Sequence, residues 1–269
     1  MTVSPESLAE QIDVLFAMEL PPAHALGLVE QVINGLNDGS IAVVERLPDA
    51  TWHVNVWVKK AILLYFRLRP VEQMEEGPFF DKVPLKTLSP ATNRIVPFSS
   101  IRKGAFIAAR VVVMAPSFVN IGAYIDEGSM IDSLVLVGSC ARVGKNVHIG
   151  AGTVIGGVLE PPNSRPVIIE DNAFIGGNCG IYEGCLVEAN AVVAAGTIIT
   201  GGTPIIDVST GEEFFGRVPE NAVVVPGGRL KTSKGAGGNF VLQTPLIIKR
   251  RDPRVSAKVS LEDSLRSFS

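Results

Sequence analysis

Few residues in this chain have the chemistry for catalysis, and their positions narrow what it can do. There are three histidines, His24, His53 and His148. A zinc centre of the three-histidine kind needs all three side chains to converge on one ion. Only His148 falls in the regular part of the sequence described below, so no metal is expected. Cys179 and Cys185 sit at positions reserved for small residues, where a thiol acts as a small apolar group. The three cysteines of the chain do not form a disulfide framework. Gly150-Ala-Gly152 opens like a dinucleotide-binding fingerprint, but Ile155 stands where the third glycine belongs. Asp126 and Asp132 each follow an inward aliphatic, where a surface carboxylate is ordinarily just solvated. Near the end, Lys231, Lys234, Lys249, Arg250, Arg251, Arg254 and Lys258 form a local basic excess. Such a group can receive phosphates or simply be a solvated basic face.

A six-residue repeat must position these groups. Stepping by six from Ile101 gives Ile107, Val113, Val119, Ile125, Ile131, Val137, Val143, Ile149 and Ile155. Stepping by six from Ile169 gives Ile175, Ile181, Val187, Val193 and Ile199. All are β-branched aliphatics. Four residues after each of these except Ile155, where the register breaks, stands a residue no larger than Val, from Ala105, Val111 and Ser117 through Thr197 and Thr203. The residue before that one is often Gly or Asn, the types that accept left-handed backbone angles. A strict period of six is neither the 3.6 of a helix nor the long alternation of a flat sheet. It describes a short strand and a corner, repeated, with the aliphatic side chain pointing inward. Three such strands close a triangular coil, with about 4.8 Å to the next. On this ruler Asp126, Asp132 and His148 face outward.

The register breaks once, between Ile155 and Ile169. The excess, 161–168, is proline-rich and should leave the coil as a loop, a common carrier of function. The flanks differ in kind. Residues 4–18 read as a helix with Ser4 as N-cap and Pro5 at the first position, 23–36 as a second helix and 56–68 as a third. A hairpin is expected between 41 and 54. After 204 the six-residue step fades. Strands are expected at 205–208, 213–216, 222–225 and 242–249, with a last helix over 260–267. The domain plan is therefore 1–98 helical, 99–204 β-helix with its loop at 161–168, and 205–269 β-rich.

Hydrophobic residues make up 46% of the chain and charged residues 19%, enough for a sizeable core. The formal charge of −3 gives no general attraction to nucleic acid or anionic membrane. No apolar run approaches a membrane span, and the start does not read as a signal peptide. A cytoplasmic protein with no nucleic-acid or membrane partner is expected.

The words written on the repeat go beyond the repeat itself. Val119-Asn-Ile-Gly-Ala-Tyr-Ile-Asp-Glu-Gly-Ser-Met-Ile-Asp132, Val137-Gly-Ser-Cys-Ala141 and Gly144-Lys-Asn-Val-His148 closely resemble the tetrahydrodipicolinate N-succinyltransferase family. So do Ile155-Gly-Gly-Val-Leu-Glu-Pro161, Phe80-Asp-Lys-Val-Pro84, Trp57-Val-Lys-Lys-Ala61 and Gly216-Arg-Val-Pro219. The likeness runs from the helical part to Pro219; the stretch after Gly227 matches less clearly. It implies a mainly β fold, a left-handed parallel β-helix of hexapeptide repeats with an N-terminal α-helical domain and a small C-terminal β-rich region. It implies a homotrimer with active sites between subunits, and small-molecule substrates. The reaction implied is succinyl transfer from succinyl-CoA, a co-substrate, to tetrahydrodipicolinate, with no permanently bound cofactor.

On that pattern Arg94 binds a carboxylate of the acceptor, Asp132 contacts its amine, and Ser139 belongs to the same pocket. CoA lies along the prism edge near Gly156, Gly157, Ala194 and Ala195, with the basic tail, Lys231 and Lys249 included, toward its phosphates. One departure stands out. The family carries a Glu three residues before the Glu-Gly pair, and this chain has Gly180 there. Gly180 lies two coils and one face beyond Asp132, about 10 Å along the prism. That is too far for one site in one subunit, but it suits a cleft between neighbours. Asp132 is then the main base or orienter, with His148 or Glu183 assisting. Two other readings stay open: an acetyl-CoA-dependent sibling acting on the same acceptor, and a non-catalytic β-helix scaffold.

Overall fold

The computed structural model describes residues 5–22, 24–74, 78–88, 92–233, 235, 237–252 and 254. Ser4, Lys234, Lys258 and the expected last helix lie outside these residues. The centre is a triangular parallel β-helix. Face one carries Arg94–Ile95, Val112–Val113, Met130–Ile131, His148–Ile149, Phe174–Ile175, Val192–Val193 and Ala222–Val225. Face two carries Ser100–Ile101, Phe118–Val119, Leu136–Val137, Val154–Ile155, Gly180–Ile181 and Ile198–Ile199. Face three carries Phe106–Ile107, Tyr124–Ile125, Arg142–Val143, Ile168–Ile169, Leu186–Val187 and Arg217–Val218.

The stacking follows from the repeat. Met130 pairs with His148, eighteen positions on, and Arg142 pairs with Ile168 across the inserted loop. The insertion therefore lengthens one corner and leaves the order of faces unchanged. From Ile101 to Ile199 the second residue of each strand is buried, and this inward column forms one continuous core with the small residues of the corners. Expected corner residues from Gly104 and Gly122 through Asn190 and Gly196 do take positive φ, Gly202 excepted. Where the inward small residue is polar it is satisfied. Ser129 Oγ donates to Gly144 O at 2.7 Å and Thr153 Oγ1 to Gly176 O at 2.8 Å, so the hydroxyls replace corner hydrogen bonds rather than going unpaired.

Two domain boundaries are corrected. The prism begins at Arg94–Ile95, which pairs with Val112–Val113, and not at 99. It also runs past 204, because Arg217–Val218 stacks on Leu186–Val187 and Ala222–Val225 on Val192–Val193. Ile95 stands six residues before Ile101, and Val224 six after Val218, so both ends obey the period. The strand expected over 242–249 is two, Asn239–Gln243 and Leu246–Arg250. The first pairs with Gly228–Thr232 in a hairpin, and the second with Ala222–Val225.

The helices form where expected: α1 (Pro5–Ala17), α2 (Ala25–Asp38) and α3 (Val56–Leu68). Gly39 closes α2 in a left-handed conformation, the ordinary helix stop. Their shared core includes Ile168 and Cys140 of the prism, with Leu186 packed against it, so the helical domain covers face three. Lys59 of α3 is fully buried and donates to the carbonyls of Pro161 (3.3 Å) and Ser164 (2.8 Å), tying the inserted loop to the helices. None of the helices is long and apolar enough to cross a membrane, among the described residues.

Ile149 is fully buried in the inward column. Ile149→Ala removes the side chain beyond Cβ and leaves a cavity that rigid coils cannot close, so it should cost about 2–5 kcal/mol. Denaturant unfolding of the variant beside the parent measures this, read as a lower midpoint at unchanged slope.

Candidate active site

The outward residues of face one form a ladder: Arg94, Val112, Met130, His148, Phe174, Val192, Val223 and finally Lys249. Asp132 begins the corner after Ile131. Its N–H donates to Ile149 O at 3.0 Å, and its own carbonyl accepts from Ser117 Oγ at 2.8 Å. One carboxylate oxygen accepts from Ser133 N–H at 2.7 Å. The corner is thus fixed from inside, and the half-buried carboxylate keeps free lone pairs for a ligand. Arg94 is exposed, two coils below Met130 on the same face.

His148 lies one coil above Met130 and stacks on Phe174, with ring centroids 5.0 Å apart. Burial holds its imidazole below the ordinary 6.5, and the Asp132 carboxylate pulls it part of the way back. The two groups therefore sense each other. Arg94 and His148 thus stand on face one, and Asp132 opens the corner at the end of a strand of that face.

The other expected residues fall elsewhere. Ser139, Gly157 and Glu183 occupy one row at the corner between faces two and three, on successive coils. Glu183 is exposed, has positive φ, and accepts from Gly201 N–H at 3.0 Å. It therefore shares no corner with Asp132. Gly156 and Gly157 also stand at that corner, whereas Ala194 and Ala195 stand at the corner between faces one and two. The four do not share one prism edge, so the expectation that they line a single edge is corrected: they lie on two. The cause is the count of faces: 155 ends a face-two strand and 193 a face-one strand.

The repeat carried a signal that points further. Above Asp132, the equivalent positions are Gly150, Gly176 and Ala194, with Ala151, Gly177 and Ala195 beside them. A Cβ on Gly150 would stand 2.6 Å from Gly177 N, and one on Gly176 2.5 Å from Ala195 N. Close coil stacking requires these glycines, and the outcome is a corner without bulk running upward from the Asp132 carboxylate. Lys249 ends the adjacent ladder, whereas Lys231 lies on the hairpin made with Asn239–Gln243.

Two cavities lie away from Arg94, Asp132 and His148. One of about 550 Å³ is lined by Arg46, Trp52, Arg165, Glu170, Glu188 and Arg217 among others. Its charges are already engaged: Trp52 Nε1 donates to Glu170 at 2.8 Å and Arg217 Nε to Glu188 at 2.6 Å. It is a joint between the hairpin, the loop and face three. A second cavity of about 430 Å³ holds Ser164, Arg165 and Glu183.

Residues 166–201 match the hexapeptide repeat of succinyl-transferase, which agrees with the coils and defines the class: a hexapeptide-repeat transferase. Residues 7–68 match the tetrahydrodipicolinate N-succinyltransferase N-terminal family. A 2,3,4,5-tetrahydropyridine-2,6-dicarboxylate N-succinyltransferase of Polynucleobacter asymbioticus is 44% identical over 99% of this chain and 100% of its own. The Aromatoleum aromaticum protein of the same name is 48% identical over 91% of each chain. A solved Campylobacter jejuni structure, described as a 2,3,4,5-tetrahydropyridine-2-carboxylate N-succinyltransferase, aligns at TM-score 0.40 and 16% identity, over 91% of this chain and 63% of that one. The chain belongs to the tetrahydrodipicolinate N-succinyltransferase family.

The contact between Asp132 and His148 has a direct readout. In Asp132→Asn the carboxylate that raises the imidazole is gone, so His148 should titrate lower than in the parent. Because the folded chain holds that proton more weakly than the unfolded chain, stability falls as pH drops from 6.5 through the folded value. The variant extends that fall to lower pH. A histidine-resolved NMR titration checks both curves; an unchanged His148 midpoint would show that the two groups do not interact.

Proposed function

We propose that the protein transfers succinyl from succinyl-CoA to the amino group of hydrated, ring-opened tetrahydrodipicolinate, as a homotrimer in the cytoplasm. The observation that carries the reading is Asp132. It stands outward on a corner fixed from within, at the end of the face that carries His148 and Arg94 and at the foot of a row without side-chain bulk. Family membership supplies the substrate pair.

The acceptor amine must lose a proton to attack a thioester, and Asp132 is placed to orient it and take that proton. Arg94 has the planar donor fork suited to a carboxylate of the acceptor. Ser139 completes the acceptor pocket from the second corner. His148, with its proton affinity reduced by burial, assists Asp132; Glu183, tied to Gly201, belongs to the loop side and is a weaker assistant. The donor's arm runs past the small residues ending at Ala194 and Ala195, with Gly156 and Gly157 on the facing edge. Lys249 and Lys231 then meet its phosphates. The two-edged arrangement fits a trimer, since heterologous packing sets one edge of a subunit against a different edge of the next.

Release of free CoA thiol tests this. Succinyl-CoA should release thiol only when tetrahydrodipicolinate is present, and acetyl-CoA should release far less. Asp132→Asn should lower kcat by about 10²–10⁴-fold. Arg94→Ala should mainly raise KM for the acceptor, by about 10–100-fold, the loss of one charged hydrogen-bonding pair. Acceptor-independent release, or full turnover by Asp132→Asn, would overturn the assignment.

A further inference from the structure

On face two the outward ladder above Ser100 reads Phe118, Leu136, Val154, Gly180, Ile198. The one glycine is buried, although nothing on its own residue covers it. The cover is Tyr182. A Cβ at Gly180 would collide with Cε2 of that ring and lie 2.8 Å from both Cζ and the hydroxyl oxygen. One coil below, a Cβ at Gly156 would be 3.0 Å from Cδ1 of the same ring. Two glycines on successive coils therefore seat an aromatic ring that folds back against the prism, with its hydroxyl over position 180. The ring is half-buried. Among the described residues its hydroxyl has no hydrogen-bond partner, so a polar group is presented, unengaged, within an apolar ladder.

A phenol hydroxyl donates a hydrogen bond without carrying charge. Acyl transfer from a thioester builds negative charge on the carbonyl oxygen, and a prepositioned donor there stabilises the transition state more than the ground state. We propose that Tyr182 is a further catalytic residue whose hydroxyl donates to the carbonyl oxygen of the donor thioester; this rests on the acyl-transfer reading above. In the step, the amine lone pair forms the C–N bond at the carbonyl carbon. The carbonyl π pair moves to oxygen, which accepts from the Tyr182 O–H. Asp132 takes the N–H proton, the pair returns to restore C=O, and the C–S bond breaks. The CoA thiolate leaves and takes the proton that Asp132 holds.

The geometry also says which Asp132. Gly180 lies two coils above Leu136, the strand that follows the Asp132 corner, about 10 Å along the axis. A base at the amine and a donor at the carbonyl oxygen must act on adjacent atoms, and within one chain Asp132 and Tyr182 open the two different corners that bound face two, so the carboxylate that meets Tyr182 is Asp132 of the partner subunit.

Tyr182→Phe keeps the ring and removes only the donor. It should lower kcat about 10²-fold, with KM for succinyl-CoA little changed and the thermal midpoint that of the parent. Gly180→Ala pushes the ring off its seat and should cause a similar loss, while the double variant should be no slower than Tyr182→Phe alone. Co-expressing Asp132→Asn with Tyr182→Phe should restore activity, because about a quarter of sites in mixed oligomers draw an intact residue from each of two subunits. A kcat for Tyr182→Phe within twofold of the parent overturns the role, and no recovery on co-expression overturns the pairing across subunits. If the parent itself releases no acceptor-dependent thiol, it is the acyl-transfer reading that fails.

Discussion

The inward column of β-branched side chains is the constraint on which the rest depends. Coils separated by about 4.8 Å leave room inside for one aliphatic side chain per strand and one small residue per corner. The observed column from Ile101 to Ile199 fills that space without a break. Because side chains alternate across a strand, burying Ile131 fixes Met130 outward, and Asp132 emerges at the next bend. The corners are held as firmly. Left-handed Asn146, Asn172, Asn190 and Asn221 turn one edge of the prism, and buried hydroxyls such as Ser117 bond the corner carbonyls. A carboxylate mounted on such a corner needs little further organisation, which is the condition for stabilising a transition state rather than merely binding a substrate.

The covering of face three is a second, separate piece of chemistry. Arg142 lies 3.7 Å over the Tyr124 ring and is paired with Asp126 at 3.0 Å. Asp126, outward like Asp132, is therefore spent on structure. The same face receives Trp52, whose Nε1 reaches Glu170. Lys59 is the costlier device. Desolvation lowers its proton affinity, yet its two carbonyl acceptors on the loop replace much of the water it loses. Nearby Cys140, fully buried, is pushed up to about 12, so it stays a neutral thiol and serves as packing. Much of face three is thereby covered by the helical domain, whereas most outward side chains of faces one and two stay half-exposed.

How much of this can be read from sequence depends on whether a feature is periodic. The repeat fixed which residues point outward, and Arg94 and His148 do share a face, with Asp132 at the corner that ends it. It also contained the true ends of the prism, in Ile95 before Ile101 and in Val218 and Val224 with Asn221 and Ala222 between them. They are hard to see because 200–216 interrupts the count with strands that leave the coil, Pro204–Asp207 and Glu213–Phe215. Assigning Gly156 and Ala194 to one edge failed for want of carrying the three-face count through to each corner. The fold of Tyr182 over Gly180 has no periodic signature at all. It depends on a side-chain rotamer and on two glycines a coil apart, Gly156 and Gly180; the sequence shows only that an outward position, otherwise large, is empty.

A triangular prism is convex on every side, and that limits what one copy can do. Reaction of a thioester with an amine needs a base, a donor for the oxyanion and exclusion of water, all around one carbon. The cavities of about 550 and 430 Å³ both sit against the loop and its Arg165, away from the corner that carries Asp132. On the exposed part of the prism, the candidate groups divide into Asp132, His148 and Arg94 to one side of face two and Ser139 and Tyr182 to the other. Face two itself presents Phe118, Leu136, Val154 and Ile198, apolar and only half-buried in one chain. If that stripe is covered by packing against another prism, the same contact brings the two half-sets together and dries the space between them. The hydrophobic gain of association and the assembly of the reaction centre are then one event, and the rigid repeat is what lets a surface without concavity acquire a cleft.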